Sequence, residues 1–343
     1  MLKAMRYFAV AAFGFAALTS TQAQAQSVED FYKGRTVTLV YGFGAGGTYG
    51  KYALMFSEFL SKYIPGNPKI IAQSMPGAGG LKSANYAYNV MPKDGSAIYM
   101  PPDSIVISQM LRPKKVKYDS AKFTWLGTAI ESNSIIVIRS DSGIKSLSDL
   151  KNKQIIMAST GKGSQTFLMP ALLNAVYGSK FKIVTGYKGS RKSMLSMEQG
   201  ETQGLSVTWL AWRSAHPEWF KPGGFAKAIV QIGYKKEKEL QDVPMLSEVV
   251  KSETDKAIVS FMASLGPIGR GLATPPGVPA DRVAALQAAF TKMVNDPSFE
   301  AAAIKRKLRV KPLTGPQVQK IVVDGMKVSP AVVKEAQMRI LGK

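Results

Sequence analysis

Cysteine is absent from the 343-residue chain, and histidine occurs once, at His216. The first absence excludes disulfide scaffolds, cysteine nucleophiles and thiolate metal sites. The second leaves almost no material for a zinc hydrolase or a Ser-His triad, so neither a metal nor a cofactor is expected. Acidic side chains are scarce too, 23 against 45 Lys and Arg. No pair of carboxylates stands out for acid/base work, because Glu237 and Glu239 lie among lysines. An enzyme is therefore disfavoured. No run of apolar residues reaches the length of about 18 that a membrane-spanning helix requires.

What remains is a globular composition. Hydrophobic residues make up 45%, charged residues 20%, and mean hydropathy is −0.02. The length is ample for about two domains. At the N-terminus Lys3 and Arg6 precede an apolar run from Tyr7 to Leu18, and Ala23-Gln24-Ala25 supplies the small residues of a cleavage site. This is the pattern of a secretory signal peptide over residues 1–25. The mature chain is expected to begin near Gln26, outside the cytoplasm and most simply in a Gram-negative periplasm. The net charge of +22 falls to +20 when Lys3 and Arg6 are removed. Such a balance first points to nucleic acid, but export and the scatter of the lysines (Lys33, Lys51, Lys62, Lys69, Lys82, Lys93) argue against that partner. A positive field that steers small anions toward a cleft fits better.

From Val37 a β-branched strand runs into a glycine-rich turn and then a segment with Tyr52, Phe56, Phe59 and Tyr63 at helical spacing. Lys69 to Gln73 forms a second strand, Pro76-Gly77-Ala78-Gly79-Gly80 opens a second helix, and Ala97 to Met100 a third strand. The pattern restarts after a basic connector near Arg112 to Lys122. Strands are then expected at Ser134 to Arg139, Ile155 to Ala158, Lys182 to Thr185, Leu205 to Trp209 and Ala228 to Gly233. Alternating strands and helices imply two α/β domains with largely parallel sheets covered on both faces.

Gly42-Phe43-Gly44-Ala45-Gly46-Gly47 satisfies G-x-G-x-x-G between strand and helix, the context of a dinucleotide fingerprint. The acid that should hold the ribose about 20 residues later is missing from Ile70-Ile71-Ala72-Gln73-Ser74. The same glycines serve another purpose, since a tight turn at a helix N-terminus offers backbone N–H groups to an anion. Two such turns, Gly46-Gly47-Thr48-Tyr49 and Pro76 to Gly80, follow consecutive strands. A third, Ser159-Thr160-Gly161-Lys162-Gly163-Ser164, holds the corresponding place in the second domain. Together they would clamp a carboxylate from two sides.

These turns, with the signal peptide, Pro92-Lys93-Asp94-Gly95, Tyr187-Lys188-Gly189-Ser190 and the lead-in Pro275-Pro276-Gly277-Val278-Pro279, resemble the tripartite tricarboxylate transporter receptors, or Bug proteins. The resemblance covers nearly the whole mature chain in order. It implies a type II-like periplasmic binding protein of mixed, mostly parallel sheets with a cleft between two domains, 27–127 plus 234–343 and 128–233. Hinge closure would capture a small carboxylate, expected to be a dicarboxylate, for delivery to the integral membrane subunits of the transporter. Backbone amides and hydroxyls of the turns would hold it. The candidate ligand-binding residues are Gly46, Gly47, Thr48, Tyr49, Ala78, Gly79, Gly80, Ser159, Gly161, Ser164, Thr208 and Trp209. Gly50 and Leu54 depart from the Asp and Arg common in the family, and Ser74 from its Asn. With Phe43, Tyr49 and Trp209 as aromatic surface, an aromatic or longer-chain carboxylate is expected over citrate. Nothing in the sequence demands more than a monomer. The alternatives are an exported NAD(P)-dependent oxidoreductase using Gly42 to Gly47, or a ligand-sensing receptor in signalling.

Overall fold

A computed structural model describes residues 26–131, 133–264 and 266–342; the expected signal peptide, 1–25, lies outside the described residues. Eleven strands are described: β1 Thr36–Tyr41, β2 Lys69–Ser74, β3 Ala97–Met100, β4 Thr124–Thr128, β5 Ser134–Arg139, β6 Gln154–Ser159, β7 Lys180–Thr185, β8 Gly204–Thr208, β9 Ala226–Ile232, β10 Gly271–Thr274 and β11 Leu313–Thr314. They form two sheets, of order β11-β4-β10-β3-β1-β2 and β7-β6-β8-β5-β9. In each, a parallel trio (β2-β1-β3 and β7-β6-β8) is extended by antiparallel strands. The architecture is the type II-like α/β fold with mixed sheets. The chain enters the second sheet after β4 and returns to the first at β10.

Alternation along the central strands explains why both faces of each sheet are covered. On β1, Val37, Leu39 and Tyr41 face a core built with Tyr52, Phe56, Phe290 and Phe299. Val40 points the other way, into a core with Tyr99, Phe123 and Trp125. On β5, Ile136 and Ile138 face one core and Ile135 and Val137 the opposite one. The edge strands β2 and β7 carry exposed Lys69, Lys180 and Lys182, charges that discourage pairing with another chain. Late elements cross over: Ile258 and Val259 of the helix Glu253–Ala263, and Ala336 and Ile340 of the helix Pro330–Leu341, join the core of the second sheet. Among the described residues no helix is long and apolar enough to cross a membrane.

Candidate functional site

Strands β1 and β2 of the first sheet and β6 and β7 of the second end in glycine-containing turns that meet face to face. The Gly44 amide donates to the Lys188 carbonyl at 2.7 Å. Ser104 and Ser108 Oγ each donate to the Gly163 carbonyl at 2.7 Å. Gly79 and Gly161 are packed so closely that a Cβ on either would fall within 2.7 Å of backbone in the opposing turn. Gly44 and Gly47 are likewise pressed against Lys188 and Ser190. At these positions a side chain would hold the two turns apart.

Behind this seam lies a cavity of about 30 Å³ lined by Phe43, Gly47, Thr48, Tyr49, Thr160, Ser164, Gln165, Thr166, Ser190, Val207, Ala211 and Arg270. The helices Thr48–Leu60 and Gln165–Tyr177 both present their N-termini to it, with N-caps Gly47 and Ser164 making no side-chain capping bond to them. First-turn N–H groups and the positive end of each helix dipole therefore favour an anion from both sides. A second, wider pocket of about 230 Å³ lies outside, lined by Gly42, Phe43, Ala78, Gly79, Thr160 and Lys188 among others. Phe43 and Thr160 line both spaces.

The predicted site residues are distributed around these spaces. Gly47, Thr48, Tyr49 and Ser164 line the inner cavity, and Ala78 and Gly79 the outer pocket. Gly46 packs on Arg191, Gly80 on Pro102 and Phe43, and Gly161 on the Ala78-Gly79 backbone. Ser159 is buried in a hydroxyl cluster with Thr160, Ser164 and Thr166; its Oγ accepts from the Gly161 amide at 3.1 Å and lies 3.1 Å from Thr166 Oγ1. Thr208 Oγ1 caps the helix Trp209–Ala215 by accepting from the Ala211 amide at 3.3 Å. Trp209 is not among the residues lining the cavity: its ring packs edge-on against Phe220, and its Nε1 donates to Glu239 at 3.3 Å.

No local sign in the sequence marks Arg270 and Asp103 as partners. The Arg270 side chain is 3% exposed and that of Asp103 5%, with Nη1 to Oδ2 at 3.5 Å. Arg270 Nη2 donates to Thr48 Oγ1 at 2.8 Å and Thr208 Oγ1 at 3.3 Å, and the guanidinium lies 4.1 Å from the centre of the Tyr49 ring. Tyr49 Oη in turn accepts from the Asp103 amide at 2.8 Å. Burial pushes the Tyr49 hydroxyl well up, so it stays neutral. Burial also raises the Asp103 carboxyl, with the Arg270 guanidinium partly offsetting it. A lone arginine between Gly269 and Gly271, ahead of an apolar strand, was the available signal, and it is a weak one.

A wider surface groove of about 520 Å³ runs beside the connectors near Glu131 and Lys235. Several of its charges pair with one another: Glu131 with Lys235 at 2.9 Å and with Lys311, and Arg309 with Glu237 at 3.4 Å. It offers less to a ligand than the inner cavity does.

A family model described as the tripartite tricarboxylate transporter family receptor matches residues 60–338. Among solved structures, MatC from Rhodopseudomonas palustris with bound malate is 21% identical, with 87% of this chain and 99% of that one covered at a TM-score of 0.67. The periplasmic binding protein BugD is 18% identical, with 89% and 98% covered and a TM-score of 0.70. Rpa4515 of R. palustris with adipate is 18% identical, with 88% and 97% covered and a TM-score of 0.66. No curated protein matches the chain in sequence. At these identities the likeness to the solved structures is one of fold.

Proposed function

The chain belongs to the tripartite tricarboxylate transporter receptor family, and on that premise we propose that it is a periplasmic receptor that captures a small carboxylate between its two lobes and delivers it to the membrane subunits of such a transporter. The carrying observation is the inner cavity, where two helix N-termini from opposite sheets and the buried Arg270 meet with no acidic side chain among the described lining residues. Such a site favours an anion. The malate of MatC and the adipate of Rpa4515 support a carboxylate. A dicarboxylate fits a cleft with one small inner and one wider outer space, and Phe43 and Tyr49, 4.5 Å apart, provide an aromatic wall between them.

The lobes are proposed as 27–127 plus 234–343 and 128–233, with helices Glu253–Ala263 and Pro330–Leu341 reaching across to the second sheet. Closure brings the glycine turns together, and ligand favours the closed form through contacts made only there. The receptor acts as a monomer without catalysis. A dinucleotide reading is disfavoured because the Gly44 amide is already bonded to Lys188. A thermal-shift and calorimetric screen of mono-, di- and tricarboxylates, aliphatic and aromatic, with NAD and NADP alongside, tests the proposal. Stabilisation by a carboxylate is expected; stabilisation by a nicotinamide dinucleotide alone would overturn it.

A further inference from the structure

We propose that Arg270 is the ligand anchor, fastening an aliphatic carboxylate head in the inner cavity while the rest of the ligand extends past Phe43 into the outer pocket. The inference rests on the carboxylate reading above and deepens it.

Four observations converge on this residue. First, among the described residues Arg270 is the only charged side chain lining the inner cavity. Its guanidinium is almost wholly buried, yet among the described residues its Nε has no hydrogen-bond partner. The five donors of an arginine fork match a carboxylate in two parallel bonds, and the 3.5 Å contact with Asp103 through Nη1 alone does not use that geometry. Second, Thr48, the first residue of the helix Thr48–Leu60, is bonded to it at 2.8 Å, so an anion set against the guanidinium also meets the positive end of that helix dipole.

Third, Arg270 has φ of +53°, the left-handed region that side chains avoid. Strain of this kind persists where surrounding contacts impose it and clusters at ligand clamps. Fourth, Nη2 touches Thr48 next to the first sheet and Thr208 at the end of β8 in the second. An anion on Arg270 therefore binds at the point where the two lobes share a side chain. The sizes set the class of head group: the inner cavity, about 30 Å³ against about 230 Å³ for the outer pocket, is the place for a compact group such as a carboxylate. Any ring belongs in the outer pocket.

The test uses the mature protein with acetate, L-malate and adipate as probes and sodium sulfate as the inorganic anion. Calorimetry is run on wild type, Arg270→Lys and the double variant Arg270→Met/Asp103→Asn, which removes both charges so that neither is left alone. Wild type is expected to bind a carboxylate probe in preference to sulfate. The double variant should lose about 10-fold to 150-fold in affinity, the range of a charge-assisted hydrogen bond, with its unliganded melting temperature close to wild type. Arg270→Lys keeps the charge without the fork and should lose about 10-fold; it decides the matter should the double variant not fold. Unchanged carboxylate affinity in Arg270→Lys overturns the anchor and leaves the carboxylate reading standing. Preference for sulfate, or no binding by wild type, overturns both.

Discussion

Replacing Gly79 by alanine separates the two demands that the structure puts on this residue. Gly79 has φ of +72°, and a Cβ there would stand 2.6 Å from the Ser164 amide nitrogen and 2.9 Å from the Gly161 carbonyl oxygen. The left-handed backbone costs an alanine about 1 kcal/mol whichever way the lobes stand. The contact with Ser164 and Gly161 exists only when the turns are together, and its atoms are backbone that no rotamer change can move. Overpacking of this kind costs about 1–3 kcal/mol. Charged against the closed form alone, that cost lowers the closed population and weakens ligand binding by about 5-fold to 150-fold. Gly178→Ala supplies the control, for Gly178 has φ of +80° with nothing within 4 Å of where its Cβ would stand. Both variants should melt slightly lower than wild type, and only Gly79→Ala should lose affinity for the carboxylate probe in calorimetry and scatter as a more extended particle in solution. Equal affinity in Gly79→Ala and Gly178→Ala would refute the claim that this seam closes on ligand.

Three further outcomes are expected. Tyr49→Phe removes the acceptor of the buried Asp103 amide and should lower stability by about 1–3 kcal/mol; a denaturant midpoint equal to wild type would contradict the bond's importance. Trp209→Phe should leave carboxylate affinity unchanged in calorimetry, because the indole packs on Phe220 rather than on the cavity; a large loss of affinity would place the ligand elsewhere. Hydrogen bonds from Lys311 and Lys235 hold the Glu131 carboxyl below its ordinary value, so its contribution is complete above the unfolded-state pKa and drains away as pH falls through the lower folded value. Glu131→Gln should therefore flatten the fall in stability as pH drops through and below the ordinary carboxylate range, and an unchanged slope in urea titrations would show that the pairing adds nothing.

The elements that the sequence reveals are those whose reasons are local. The β-branched runs of β1 and β5, the Asp94-Gly95 turn ahead of β3 and the proline lead-in to the helix Ala280–Val294 each carry their own signal within a few residues. β10 and β11 do not: they are four and two residues long, and they exist because β4 offers both of its edges to antiparallel partners far along the chain. At β8 the local reading runs one residue too far. Trp209 reads as the last residue of a strand begun at Leu205, but Thr208 is an N-cap whose hydroxyl accepts from Ala211, so the chain turns helical at Trp209 and the indole packs on Phe220.

The same division between local and distant causes runs through the site. Glycine turns after strands are legible as amide-rich helix starts, and Gly47, Thr48 and Tyr49 do line the cavity. The structure adds a demand on the glycines that no single turn could reveal, namely the absence of a side chain where another turn, more than 80 residues away in Gly79 with Gly161, presses against it. Arg270 is the extreme case. Its partners Thr48, Asp103 and Thr208 lie 222, 167 and 62 residues away, so its burial, its unpartnered Nε and its strained φ are all products of tertiary structure. A basic chain with lysines scattered over its surface hides one cation that is different in kind. Exposed lysines act on an anion through a field that salt screens, whereas a buried guanidinium beside two helix N-termini acts at contact distance with little screening. The surface charge can speed arrival of a carboxylate, and the selection among carboxylates falls to the buried arginine and the small space in front of it.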